Sequence, residues 1–135
     1  MNWTRFLLAV VASGVAGSFT DWLFMGVLFH GKYLETPEVW RKEPGKPETG
    51  YILASTLLGV LGSTALIFLC IWAGALGSYS GALRVAVLAW LAAPLPVIGS
   101  NIIWMKLHPL IGVSHSLGWL ARFAATAVIA AWLMH

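Results

Sequence analysis

Four long apolar runs constrain this chain more than any other feature. A bilayer core about 30 Å thick is crossed by about 20 helical residues, each rising about 1.5 Å. Runs of that length lie at about 6–29, 51–76, 83–105 and 116–133. Lipid offers the backbone no hydrogen-bond partner, so a spanning segment must satisfy its own, and the short alternating segments of a membrane β-barrel are absent. The expectation is an all-α fold, a transmembrane four-helix bundle forming one domain over 1–135. Only 10% of the residues are charged, against about 25% in a soluble domain. Arg5 ahead of an apolar run looks like the start of a signal peptide, but the run continues through Trp22, Leu23, Phe24 and Leu28. That exceeds a signal core of about 7 to 15 residues.

The sparse charge is informative because it is unevenly placed. Of eight basic and five acidic residues, Lys32, Glu35, Glu38, Arg41, Lys42, Glu43, Lys46 and Glu48 fall in the connection between the first two runs. Arg5, Arg84 and Lys106 stand near span ends and bear on orientation. Four spans put both termini on one side, and the Lys and Arg excess predicts that the loops 30–50 and 106–115 are cytoplasmic and the termini outside. Within the first loop, Thr36, Pro37 and Glu38 predict a short helix with a capping hydroxyl, ended by Pro44. Val39 and Trp40 would lie on the membrane surface or form a docking patch.

Two charges remain, Asp21 and Arg122, and both lie inside spans. Counted from the loop ends of their helices, each sits about 10 to 12 Å into the membrane from the same face. An unpaired charge at that depth costs a few kcal/mol, so each should face the bundle interior and find a partner. Ser13, Gly17 and Asp21 are spaced by four, as are Gly118, Arg122, Thr126 and Ala130. Such small-residue stripes let helices approach closely in lipid. An Asp21–Arg122 ion pair follows. It either fixes which helices are neighbours or binds a ligand, with Arg122 as the anion-binding member. A third stripe, Ser55, Gly59 and Ser63, carries no charge and is a candidate contact for a second copy of the chain.

Asn101, His30, His108 and His115 gather toward the same end, and Trp22 lies beside Asp21 as a candidate pocket wall. The binding site expected from the sequence is therefore Asp21, Arg122, Asn101, His115, His108, His30 and Trp22. No cofactor is predicted. Haem or metal at His30, His108 and His115 is the alternative, opposed by the lack of an HxxxH pair and by Pro109 and Gly112, which should break any helix between His108 and His115. The lone Cys70 has no partner for a disulfide or zinc site. Pro94 and Pro96 predict a kink or hinge in the third span. Trp3 and Trp132 read as interfacial anchors at one face, and Trp40, Trp104 and Trp119 at the other.

The opening Met1-Asn2-Trp3, the small-residue first helix, and the run Asp21-Trp22-Leu23-Phe24-Met25-Gly26-Val27-Leu28-Phe29-His30-Gly31-Lys32 followed by Trp40 resemble the start of a family of small four-span bacterial membrane proteins, the domain of unknown function DUF1761. The likeness covers about the first forty residues, and His30 departs from a Phe-Gly-Lys pattern. It implies a four-span protein of the bacterial inner membrane. The chain shows no nucleophile with an adjacent base, no phosphate loop, no paired carboxylates and no basic stripe for nucleic acid. The function expected is binding or translocation of a small anionic or amphiphilic molecule at the polar site. The alternatives are a histidine-based redox or enzyme subunit and an accessory protein acting through helix contacts.

Overall fold

The computed structural model describes residues 1–41 and 45–135; Lys42, Glu43 and the predicted helix stop at Pro44 lie outside them. Four stretches are long and apolar enough to cross a membrane: Trp3–Leu28, Thr49–Trp72, Tyr79–Trp104 and Pro109–Met134. The chain is a multi-pass membrane protein built as a four-helix bundle. Span 1 is α1 (Trp3–Asp21) continued by a π-helical segment, Trp22–Leu28. The first loop carries α2 (His30–Glu35) and a 3-10 turn at Pro37–Val39. Span 2 is α3 (Thr49–Trp72), span 3 is α4 (Tyr79–Ala92) with α5 (Pro94–Trp104), and span 4 is α6 (Pro109–Met134).

Local chemistry sets the ends. Asn2 Oδ1 accepts the Arg5 N–H at 3.2 Å and starts α1, and Ser78 Oγ accepts the Gly81 N–H at 3.1 Å and starts α4. Gly74, at φ 62°, takes the left-handed conformation that closes span 2 at Trp72, short of the expected 76. Pro94 and Pro96 bring no N–H, so the carbonyls of Trp90 and Ala92 lose their helical donors, and span 3 breaks at Ala93.

Two expectations are corrected by the fold. Span 4 begins at Pro109 rather than near 116, and Pro109 and Gly112 do not interrupt it. A proline at the first helical position sacrifices no hydrogen bond. The His108 Nδ1 caps it by accepting the Leu110 N–H at 3.2 Å, and Gly112 is buried where a Cβ would strike Ile102 of α5. In the loop, Thr36 does not cap a helix. Its Oγ1 instead donates to the Lys32 carbonyl at 3.2 Å, leaving only the 3-10 turn that follows.

The fourth span is the axis of the bundle, with spans 1, 2 and 3 packed around it. Its small residues allow this, since Gly112, Ser114, Gly118, Ala127, Ala130 and Ala131 are buried on several sides of one helix. Phe6, Ala9, Ile67 and Ala130 form one apolar cluster, and Leu66, Cys70, Ala86, Phe123 and Ala127 belong to another. Both termini and the 73–78 turn meet at one end, where Arg5 Nη1 donates to the His135 carbonyl at 3.2 Å.

The Ser55, Gly59, Ser63 stripe does not form an outer face. Gly59 and Ser63 are buried inside the bundle, and Thr126 Oγ1 donates to Ser63 Oγ at 3.1 Å. Ser55 alone is exposed, bonded to its own helix at the Ile52 carbonyl. The stripe faces the fourth span of the same chain, which needs close approach to seat a long polar side chain. Interhelical hydrogen bonds in membranes average about 0.6 kcal/mol with a maximum near 1.7. Thr126→Val should therefore lower unfolding free energy by about 0.5 to 1.5 kcal/mol, read by denaturant titration in detergent, with far-UV dichroism unchanged.

Candidate functional site

The site is built from three facing stripes. Arg122 comes from the middle of α6, Asp21 from the last residue of α1, and glycines from α1 and α3 lie between them. Arg122 Nη2 donates to Asp21 Oδ2 at 2.5 Å. The arginine side chain is 1% exposed and the aspartate 32%, so the guanidinium is sealed while the carboxylate keeps an open side. A Cβ at Gly59 would lie 2.6 Å from Arg122 Cζ, and one at Gly17 would fall on the guanidinium itself. The two glycines form the slot that this side chain fills. Trp119 covers one face, its ring centroid 5.6 Å from Cζ, and is held in turn against Gly62.

One donor in this enclosure has no acceptor. Arg122 Nη1 is buried without a hydrogen-bond partner among the described residues, as is Ser13 Oγ, one turn from Gly17 along the same stripe. An unmet buried donor on a charged group carries a desolvation penalty of about 1 to 3 kcal/mol or more. The pair is therefore incompletely compensated as it stands.

A second polar layer lies against the first loop. Tyr33 of α2 donates its hydroxyl to Ser114 Oγ at 3.2 Å, and Ser114 Oγ donates to the Phe24 carbonyl at 3.3 Å in the π-helical segment. That carbonyl also receives the Phe29 N–H, a five-residue spacing. The π-helical turn thus begins directly after Asp21, where such irregularities often accompany functional residues. His115 meets Tyr33 edge-on at 5.8 Å, and both lie within electrostatic reach of the Asp21 carboxylate. Burial pushes the Tyr33 phenol above its ordinary 10.0; the hydrogen bond to Ser114 works against that and the Asp21 charge adds to it.

The structure separates the residues expected at one site. Asp21, Arg122 and His115 come together. His30 is exposed on the wall of a neighbouring cavity, His108 is spent as the cap of α6, and Asn101 is half-buried on α5, which packs on α4 and α6. Trp22 is 58% exposed, its ring tilted against Phe19. It faces away from the bundle, because one residue along a helix turns the side chain by about 100° from the inward-facing Asp21. Among the described residues, no three His, Cys, Asp or Glu converge where they could hold a metal ion. Trp119, expected at the interface, instead lids the guanidinium. Its position three residues before Arg122 is the signal that could have found it. Tyr33 had no such signal, being one aromatic in a loop.

No protein-family model, curated protein or solved structure matches this chain. Fold and site together define its class: a small multi-pass membrane protein, all-α, with an ion pair held within its spans.

Two outcomes follow from this geometry. Asp21→Asn strands a buried guanidinium and should cost about 3 to 5 kcal/mol. Arg122→Gln leaves a carboxylate with an open side and should cost less. The Asp21→Asn/Arg122→Gln double variant should lose at least about 1 kcal/mol less than the sum of the two, in an unfolding double-mutant cycle. The second outcome concerns pH. With its phenol raised on folding, Tyr33 keeps its proton above pH 10 while the unfolded chain releases it. Its contribution is complete below that pH and is lost as pH rises through the folded value. Tyr33→Phe should flatten the alkaline fall in melting temperature.

Proposed function

We propose that the protein binds a small anionic or amphiphilic molecule at the loop end of the bundle, with the Asp21–Arg122 pair as polar anchor, and that translocation of that molecule is the role such binding serves. One observation carries the reading: among the described residues a sealed guanidinium retains an unpartnered N–H while its counter-ion is the accessible member of the pair. An incoming anion approaches from the open side of Asp21 and competes with that carboxylate for the guanidinium, whose planar fork suits carboxylate or phosphate. The break at Ala93 supplies span 3 with a place to flex as a ligand enters or leaves. The first forty residues resemble the start of the DUF1761 family, and on that resemblance we assign the chain to the bacterial inner membrane, its longer loops facing the cytoplasm.

Chemical rescue tests this. Sodium octanoate supplies a carboxylate on a short chain, and octyltrimethylammonium is the cationic control. Octanoate should raise the melting temperature of Asp21→Asn well above its effect on the wild type, by replacing the missing counter-ion, and should leave Arg122→Gln unmoved. Equal stabilisation by both amphiphiles, or of both variants by octanoate, would exclude the pair as a ligand anchor.

A further inference from the structure

Between α2, the 3-10 turn and the first turn of α3, at the same end of the bundle, lies a cavity of about 720 Å³. Its volume falls within the range of about 300 to 1,000 Å³ that holds small ligands. Met25, near the end of span 1, and Ile52, near the start of span 2, place it at the level where the apolar spans give way to the loop.

The walls are braced from within the chain. The Tyr33 and Trp40 rings stack with centroids 4.9 Å apart, and Trp40 Nε1 donates to the Tyr33 carbonyl at 3.2 Å. Tyr51 at the head of α3 donates its hydroxyl to the Arg41 carbonyl at 3.5 Å, which ties the loop to span 2.

The lining divides into three chemistries. Met25, Leu34 and Ile52 supply apolar surface, and Leu34 and Ile52 are exposed on the outside of the chain, where acyl chains would cover them. Tyr33, Trp40 and Tyr51 supply aromatic rings of the kind that settle at lipid headgroups. Arg41 supplies a guanidinium, exposed and without an ion-pair partner among the described residues, and His30 adds a ring N–H donor. Glu48 also lines the cavity but has an interaction partner of its own, so the recognition of charge falls to Arg41.

From this we infer that the cavity binds one bilayer phospholipid by its phosphate. A guanidinium presents a planar fork of donors that fits a phosphate oxygen pair, and the charge on both partners strengthens the bond. The phosphate sits at Arg41, and the glycerol and upper acyl chains run over the aromatic rings onto Leu34 and Ile52. This site does not depend on the Asp21–Arg122 anchor. The two share only Tyr33, whose ring lines the cavity while its hydroxyl reaches Ser114.

The test uses the full chain in detergent, freed of lipid and examined by native mass spectrometry. Three probes separate the parts of the ligand: dioleoylphosphatidylglycerol, dioleoylglycerol, which has the same chains without phosphate, and glycerol 3-phosphate, which has the phosphate without chains. One phosphatidylglycerol should be retained per chain, at least about tenfold more tightly than either of the other two. Arg41→Gln keeps the backbone carbonyl that receives Tyr51, so its helicity and melting temperature should stay near wild type while retention falls about tenfold. Ile52→Trp, which fills the cavity, should weaken retention by a similar factor. Arg84→Gln, at an exposed arginine near the start of α4 at the opposite end, should leave it unaltered. Unaltered retention by Arg41→Gln or by Ile52→Trp would overturn the assignment. So would dioleoylglycerol or glycerol 3-phosphate held as tightly as the phospholipid. A loss in Arg84→Gln equal to that in Arg41→Gln would show lipid held only around the spans, and would overturn it too.

Discussion

A guanidinium inside an apolar medium is the constraint on which this bundle turns. Arg122 reaches neither membrane surface, so its charge must be met within the protein. Asp21 meets it from span 1, Trp119 covers a face, and Gly17 and Gly59 make room for its width. Asp21 and Gly17 draw α1 toward α6, and Gly59 draws α3. The Ser63–Thr126 hydrogen bond one turn further along secures the same approach of spans 2 and 4. Central placement of the fourth span follows, because a buried arginine needs neighbours on all sides and only a helix of small residues admits them.

The cost of that arrangement is spread unevenly, and the unevenness gives the molecule a direction. Toward the termini the bundle closes with apolar clusters around Phe6, Ile67, Leu66 and Phe123. Toward the loop, the α-helical winding of span 1 gives way to a π-helical turn, and Asp21, Tyr33, His115 and Ser114 stand together with the carboxylate partly open. Span 3, broken at Ala93 and with no buried residue in α5, is the least constrained of the four. Polar chemistry, irregular backbone and the cavity therefore share one end. Tyr33 links them: its ring belongs to the cavity and to the stack with Trp40, while its hydroxyl extends the network that reaches the π-helical segment.

Much of this was legible in the residues. Span number and approximate limits come from length and hydropathy, since a bilayer admits few alternatives to a helix of about 20 residues. The Asp21–Arg122 pairing was legible because depth is set by residue count and isolated charge is prohibitively placed in lipid. The residues mislead where one residue type serves two purposes. Pro109 and Gly112 read as breakers, yet proline starts a helix as readily as it ends one, and a buried glycine marks close packing. The Ser55, Gly59, Ser63 stripe read as an outer contact, although a small-residue face says only that something approaches, not which helix does.

The sequence alone thus determined that the chain is a four-span membrane bundle, and which two charges need each other, because both follow from the cost of polar groups in hydrocarbon. Tertiary structure decided what surrounds them: that α6 is central, that Gly17 and Gly59 form a slot for the guanidinium, that Trp119 closes it, that Trp22 turns outward, and that the first loop folds back to enclose a cavity. Those outcomes depend on the rotation of each helix about its axis and on contacts between residues far apart in the chain, such as Tyr33 with Ser114. Hydropathy averages out the first of these, and local spacing carries no record of the second.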